Sequence, residues 1–267
     1  MKTVVVTGST KGIGLGLVKE FLKRECSVTL SGRNKEKLED EVKKLSKEFG
    51  QDRVLGQSCD VTDINEVRAL WNSAKQKFGE IDIWINNAGR DTNSKVLWEL
   101  DPAEIAPTVN TNITGLIYGT MVALKGMLEQ GFGQIYSMEG FGSSDMMRPG
   151  LTVYGTTKRA VRYFTESMIE EANDKPVQIG TLSPGMVITD FLLNNLRKMP
   201  EEKRTEVKLI YNMLADKVET VTEFLASEVL KNDKTGAKIE WLTSEKAMER
   251  MNSDEYINRD LLSEFGV

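Results

Sequence analysis

The sequence predicts an α/β protein built on a doubly wound parallel sheet of about seven strands, with helices on both faces. Three observations predict it. Short β-branched runs alternate with longer stretches of helical periodicity. The first run opens onto a glycine-rich turn and a helix. The 267 residues, 40% apolar and 28% charged, suffice for one large domain that buries a core and stays soluble. Alternation of this kind builds βαβ units, whose right-handed crossovers cover both sheet faces, the Rossmann type.

The elements follow in order. Residues 3–7 (TVVVT) form the first strand and 13–24 the first helix. Residues 27–30 are the second strand, and 35–49 the second helix, where "LEDEVKKLSKEF" sets Leu38, Val42, Leu45 and Phe49 on one face. Strands at 53–58, 81–85, 134–137 and 178–182 alternate with helices at 64–78, 102–129 and 155–172. A helical region from about residue 190 to 231 precedes a last strand at 238–242. Residues 1–245 thus read as one dinucleotide-binding and catalytic domain, in which a segment at about 188–214 arches over the site as a substrate lid. Residues 246–267 are polar and weakly periodic, and read equally as a docked helix or a mobile tail.

Composition removes several classes of function. The chain has no histidine, which excludes Ser-His-Asp hydrolysis, Cys-His catalysis and His-ligated zinc, and no metal site is expected. A net charge of −5 without a basic run argues against nucleic acid. Cys26 and Cys59 lack CxxC spacing, the opening residues already read as strand and turn, and no apolar run approaches membrane-span length. The expectation is a cytoplasmic protein.

The chemistry begins at "VVVTGSTKGIGLGLVKEFL", which sets Gly8, Gly12 and Gly14 between a strand and a helix. Glycines permit the tight turn and close approach of a pyrophosphate, and the helix N-terminus supplies N–H donors and a positive dipole end. The spacing is not that of a P-loop, so ATP hydrolysis is not expected. The second strand ends "TLSGRN" with Arg33 and no carboxylate, and Lys11 sits in the turn. Two cations near the adenosine ribose suit a 2′-phosphate, so NADPH is expected over NADH.

From Thr3 to Thr189 the motifs resemble, in order and spacing, the short-chain dehydrogenase/reductase family. Residues Thr7-Gly8-Ser9-Thr10-Lys11-Gly12-Ile13-Gly14 match its glycine motif, and Cys59-Asp60-Val61 its adenine-contacting turn. Asn86-Asn87-Ala88-Gly89 match the motif after strand four, and Asn112 the helix asparagine that holds a relay water. Tyr154 and Lys158 match the active-site pair, and Pro184-Gly185-Met186-Val187-Ile188-Thr189 the segment gripping the nicotinamide amide. The stretches "SMEGFGS", "VYGTTKRAV", "LSPGMVITDFL" and "NMLADKVETVTEFL" are most similar to the chlorophyll b reductase branch, which reduces a formyl group with NADPH. The resemblance also implies a homodimer or homotetramer formed through the helices that begin near Pro102 and Gly155.

Tyr154 and Lys158, four apart on a helix, share a face. A neighbouring ammonium is expected to lower the tyrosine pKa from about 10 and fit it to general acid–base work. The resemblance implies that Tyr154 protonates the carbonyl oxygen, Lys158 holds the nicotinamide ribose, and Asn112 connects the relay to solvent. Where most of the family has two serines the chain reads Glu139-Gly140, and a missing donor of that kind costs about 10²–10³ in rate. Three compensations are open: Ser143 or Ser144 reaching back, a protonated Glu139, or an aldehyde electrophilic enough to need Tyr154 alone. The last, helped by Ser143, is the favoured reading. Glu139, Met146, Met147 and Phe191 are candidate substrate contacts, and Leu192, Leu196, Met199, Ile210 and Met213 a candidate apolar lining. Competing readings are a short-chain alcohol dehydrogenase acting on another small carbonyl, and a silent NADPH-binding regulator.

Overall fold

The computed structural model describes residues 1–92 and 95–267, without the side chain of residue 191. Its strands are β1 (Thr3–Val6), β2 (Ser27–Gly32), β3 (Val54–Ser58), β4 (Ile83–Asn86), β5 (Gln134–Met138), β6 (Gln178–Ser183), β7 (Met186–Ile188), β8 (Ala215–Lys217) and β9 (Lys238–Glu240). Its helices are α1 (Gly12–Lys23), α2 (Lys35–Phe49), α3 (Ile64–Phe78), α4 (Pro102–Val109), α5 (Gly115–Gln130), α6 (Thr152–Glu171), α7 (Asp190–Lys198), α8 (Glu201–Leu214), α9 (Val218–Lys231), α10 (Ser244–Met251) and α11 (Asp254–Ile257). A parallel seven-stranded sheet in the order β3-β2-β1-β4-β5-β6-β9 matches the expected doubly wound class.

The central strands β1 and β4 are almost wholly apolar because both sheet faces are covered, and their side chains alternate between two cores. Val4, Val6, Ile83 and Ile85 pack on one face with Leu17, Phe21, Val221 and Leu225 of α1 and α9. Val5, Trp84 and Ile135 pack on the other with Leu70, Trp71, Ala123 and Met127 of α3 and α5. The site lies at the carboxyl ends of β1, β4, β5 and β6, where the strand order reverses across β1 and β4.

The 102–129 stretch is not one helix. Residues Asn110–Thr114 form a π-helical turn between α4 and α5, the kind of irregularity that recurs at functional sites. The 190–231 region likewise splits into α7, α8, β8 and α9, and β8 pairs in parallel with β7.

Residues 246–267 dock. Leu262 is buried with Leu193, Leu196 and Tyr211 in a third small core beneath α7 and α8. Asp216 accepts from Trp241 Nε1 and Arg250 Nη1, each at 2.7 Å, and from Arg259 Nη1 at 3.3 Å. Both guanidinium groups lie over the Tyr256 ring, at 4.7 and 4.8 Å. The buried Asp216 carboxylate is thus met by two guanidinium groups, and removing it would leave buried charge uncompensated.

Candidate active site

β1 runs into a turn in which Gly8 takes φ +61°, a left-handed conformation that favours glycine. Gly14, on the first turn of α1, lies so close beneath it that an added Cβ would stand 2.5 Å from Asn87 Nδ2 and 2.7 Å from the Gly8 carbonyl. The loop after β4 braces this turn. Asn87 Nδ2 donates to the Thr7 and Gly8 carbonyls at 2.9 and 3.0 Å, while Thr7 Oγ1 accepts the Asn87 and Ala88 amides, both at 3.0 Å.

Lys11, the N-cap residue of α1, is extended and makes no side-chain cap, and the first turn holds no acidic residue. The leading N–H groups of α1 therefore meet no competing side chain, which fits them to an anionic pyrophosphate. Across the cleft, Thr189 Cγ2 lies 3.6 Å from where a Cβ on Gly12 would be. Gly12 thus faces the segment after β6. Ser9, expected to contact the cofactor, does not line the cleft. It is fully buried, and its hydroxyl donates to the Val6 carbonyl at 2.7 Å and accepts the Ser31 amide at 3.0 Å, tying the turn to β2.

At the adenosine end, Thr10 packs over Gly32, where an added Cβ would meet its Cγ2 at 2.8 Å. The exposed Arg33 reaches Asp60 Oδ2 only at 3.9 Å, a loose contact from which it can turn to another anion. Asp60 Oδ1 caps its own turn by accepting from the Thr62 amide and hydroxyl, at 3.0 and 2.8 Å, and Val61 beside it is buried. Pro184 and Val187 are buried after β6, and Gly185 packs against Leu242.

α6 brings Tyr154 and Lys158 together, and the π-helical turn brings Asn112 to them. Asn112 Nδ2 donates to Thr157 Oγ1 at 2.9 Å, and Thr157 Oγ1 donates to the Tyr154 carbonyl at 2.7 Å. Asn112 also grips the backbone of Arg90, accepting its amide at 2.7 Å and donating to its carbonyl at 2.8 Å. A Cβ on Gly89 would lie 3.6 Å from Asn112 Oδ1 and 3.9 Å from Lys158 Nζ, so this loop borders both. Asn112, Lys158, Thr7 and Ala88 line one small cavity between α6 and the end of β1.

One electrostatic expectation is corrected. Lys158 Nζ donates to the Met138 carbonyl at 2.9 Å and lies 5.8 Å from the centre of the Tyr154 ring. The net direction at the phenol is upward, not downward. Burial pushes Tyr154 above its usual range, and the Asp91 carboxylate adds to the rise. Burial pulls Lys158 down to about 8, with Glu139 opposing. In this arrangement Tyr154 keeps its proton throughout the neutral range, as an acid for reduction requires.

The missing hydroxyl has a steric counterpart. The Tyr154 hydroxyl lies against Gly140, where an added Cβ would stand 2.6 Å from it and 3.1 Å from Lys158 Cε. Glycine at this position makes room for the phenol. Ser143 does not reach toward it: its buried hydroxyl accepts the Gly140 amide at 3.2 Å and donates to the Lys158 carbonyl at 3.3 Å. Glu139 is not a solvated rim residue. It is 7% exposed, its carboxyl bonds to Ser183, and burial holds its pKa high.

Met146 and Met147 are exposed, at 59% and 94%, on the loop before α6. The side chain of Phe191 lies outside the described residues. Leu192 and Leu196 of α7 face a core shared with Leu262, so they pack α7 on the C-terminal segment. The sequence reasoning missed Asp91, whose Oδ2 accepts from Asn195 Nδ2 of α7 at 3.2 Å. Its signal was a carboxylate two residues beyond the Asn-Asn-Ala-Gly motif.

Residues 2–200 match the family model described as short chain dehydrogenase. The chain is 36% identical over 259 residues to a chloroplastic chlorophyll(ide) b reductase NOL of Arabidopsis thaliana, covering 94% of this chain and 72% of that protein. It is 33% identical over 260 residues to a probable chlorophyll(ide) b reductase NYC1, chloroplastic, of Oryza sativa subsp. japonica, covering 91% of this chain but only 50% of that protein. Among solved structures, ElxO with NADP bound superposes with a TM-score of 0.75 at 28% identity, covering 90% of this chain and 96% of that one. These chloroplastic relatives overturn the expected cytoplasmic location. Cys26 and Cys59 are both buried free thiols, and burial raises the pKa of each. No helix among the described residues is long and apolar enough to cross a membrane. With the glycine turn, the Tyr154–Lys158 helix and Asn112 in one site, the chain belongs to the short-chain dehydrogenase family.

Proposed function

We propose that this protein reduces the carbonyl group of a hydrophobic molecule to an alcohol with NADPH, and that a chlorophyll(ide) b-type formyl group is the leading substrate. The observation that carries the reading is the Tyr154 hydroxyl seated against Gly140, one cavity away from a glycine turn with an uncapped helix behind it. The names of the plant relatives and the NADP in the ElxO structure support it.

Bound NADPH supplies the hydride. Gly8, Thr10, Lys11, Gly12, Ile13 and Gly14 would hold its pyrophosphate, with Arg33, Asp60 and Val61 at the adenosine end. Asn87, Ala88, Gly89, Pro184, Gly185, Val187 and Thr189 would border the nicotinamide end. Tyr154 releases its proton to the carbonyl oxygen, Lys158 steadies the phenolate left behind, and Asn112 fixes the helix that carries both. Met146 and Met147 offer adaptable apolar contacts at the rim, whereas Glu139 acts from within through the charge on Lys158. An aldehyde substrate suits a site whose oxygen is met by one donor.

The test is an NADPH-oxidation screen over carbonyl compounds, chlorophyllide b included, with wild type and Tyr154→Phe. Turnover by wild type alone upholds the reading. NADPH binding without turnover of any carbonyl would instead leave a silent nucleotide binder.

Two finer proposals attach to it. Lys11 and Arg33, both exposed, would pair with the 2′-phosphate. Replacing both with alanine is expected to lower kcat/KM for NADPH about 10²–10⁴-fold and leave NADH almost unchanged, since each of the two charge-assisted bonds contributes ~1.5–3 kcal/mol. An equal loss with both cofactors would refute the pairing. The second concerns a homodimer. Ile117, Met121, Leu124 and Leu128 of α5 and Phe164 and Met168 of α6 line an apolar surface groove, which a second copy would cover. Met121→Glu with Leu128→Glu is expected to yield monomers in sedimentation velocity, and an unchanged sedimentation coefficient would count against this face.

A further inference from the structure

The lid and the catalytic floor belong to different packing units. α7 and α8 form a small core of their own with Leu262 of the C-terminal segment, separate from the two cores of the sheet. Arg197 of α7 donates to the Phe265 carbonyl at 2.9 Å, so α7 is fastened to that segment and moves with it. Besides the connections through β7 and β8, whose Ile188 and Ala215 belong to this core, a polar contact joins α7 to the loop after β4. Asn195 Nδ2 donates to Asp91 Oδ2 at 3.2 Å, across 104 residues of sequence.

Asp91 is in turn fixed to the catalytic helix. The preceding residue, Arg90, has its backbone gripped on both sides by Asn112, and Asn112 holds Thr157, which bonds to the Tyr154 carbonyl. A pull on Asp91 from the lid therefore reaches Tyr154 through a short run of hydrogen bonds. The carboxyl also occupies a costly position. Its Oδ1 is buried with no hydrogen-bond partner among the described residues, although the carboxyl is also met by the Thr92 backbone and by Asn195, and a buried acceptor left unpaired is destabilising. The ionisable groups set against it are Glu104 of α4, which repels it, and Tyr154 of α6; no cation forms an ion pair with it among the described residues. Burial accordingly raises Asp91 to about 6. Such a cost is retained where a contact serves function, which points to the Asn195 bond.

We propose that Asp91 is a positioning residue for the reduction: by holding Asn195 it fastens α7 to the loop that Asn112 ties to the catalytic helix, and so keeps the lid closed over a substrate at Tyr154. This rests on the carbonyl-reductase reading for its kinetic part. Its structural part does not depend on turnover.

The experiment is hydrogen exchange of the α7 amides in the full chain with NADPH present, alongside steady-state kinetics, for Asp91→Ala, Asn195→Ala, the double variant and Asp91→Asn. Each alanine variant is expected to speed exchange in α7 about tenfold and raise the substrate KM about tenfold, with kcat changed less. The double variant should be no worse than either single one, because both remove the same bond. Asp91→Asn should recover most of the protection and the KM, since its amide oxygen still accepts the Asn195 N–H. Unchanged exchange in both single variants would overturn the proposal, as would an Asp91→Asn protein as impaired as Asp91→Ala. If Asp91→Ala fails to fold, Asn195→Ala still decides the exchange. A protein that shows the exchange pattern but reduces no carbonyl would remove the functional reading and leave the latch standing.

Discussion

Replacing Tyr154 with phenylalanine is expected to lower kcat for carbonyl reduction by at least about 10³-fold while changing NADPH affinity less than about threefold. The substitution removes one oxygen and the proton it carries. The ring stays between Gly140 and Lys158, and Asn112 still reaches the helix through Thr157, whose bond is to the backbone of residue 154. The glycine turn is braced by Asn87 and Thr7, neither of which contacts the phenol, so cofactor binding has no reason to fall. Single-turnover kinetics beside an NADPH fluorescence titration separates the two quantities. Retention of a tenth or more of the rate would show that another group supplies the proton.

A pH profile belongs to the same prediction. Tyr154 is pushed above its ordinary value, and so remains protonated below pH 9 or thereabouts. Lys158, lowered to about 8, is charged below that value and neutral above it. Reduction should therefore be level through neutral pH, and its kcat/KM should decline as pH rises through about 8. A decline beginning at acid pH would point to a different ionisation.

The sheet and the catalytic residues were legible for a physical reason. Strands covered on both faces must be apolar at every position, and runs such as Val4-Val5-Val6 and Ile83-Trp84-Ile85 show this without any knowledge of their neighbours. The glycine turn was legible because its conformation demands the residue type. What stayed hidden depends on distant partners. Residues 246–267 look merely polar until Arg250 and Arg259 meet Asp216, 34 and 43 residues away. The three-residue strands β7 and β8 are too short to impose a periodicity, and they interrupt segments with helical spacing. The break at Asn110–Thr114 is invisible because a π-helical turn keeps right-handed helical backbone and changes only the hydrogen-bond register, which residue type does not mark. Asp91 was missed because its partner Asn195 lies in α7, 104 residues away. The Tyr154–Lys158 spacing placed two side chains on one face correctly, but spacing does not fix where an amine points, and Lys158 turns to Met138.

Substituting Gly140 decides what the altered motif means. Gly140→Ala is expected to lower kcat about 10–100-fold with little loss of stability. An alanine Cβ would stand 2.6 Å from the Tyr154 hydroxyl, well inside van der Waals contact, so the phenol must retreat by several tenths of an ångström. Displacements of this order at a reacting group are costly, roughly 10²-fold for 1 Å. Gly140→Ser adds the same carbon but also a hydroxyl donor of the kind most relatives carry, whose contribution elsewhere is about 10²–10³. If the phenol's seat has been built around glycine, the serine protein should fall below wild type as well, ahead of alanine by no more than about tenfold, because the donor arrives at a tyrosine already out of place. If the motif merely lost a donor, serine should exceed wild type. Comparing both variants on an aldehyde and on the matching ketone sharpens the choice: a site tuned to one donor should lose in proportion on both, whereas a site lacking a donor should gain most on the less electrophilic ketone. A Gly140→Ser protein that outpaces wild type on either substrate would show that glycine was not required by the phenol's position.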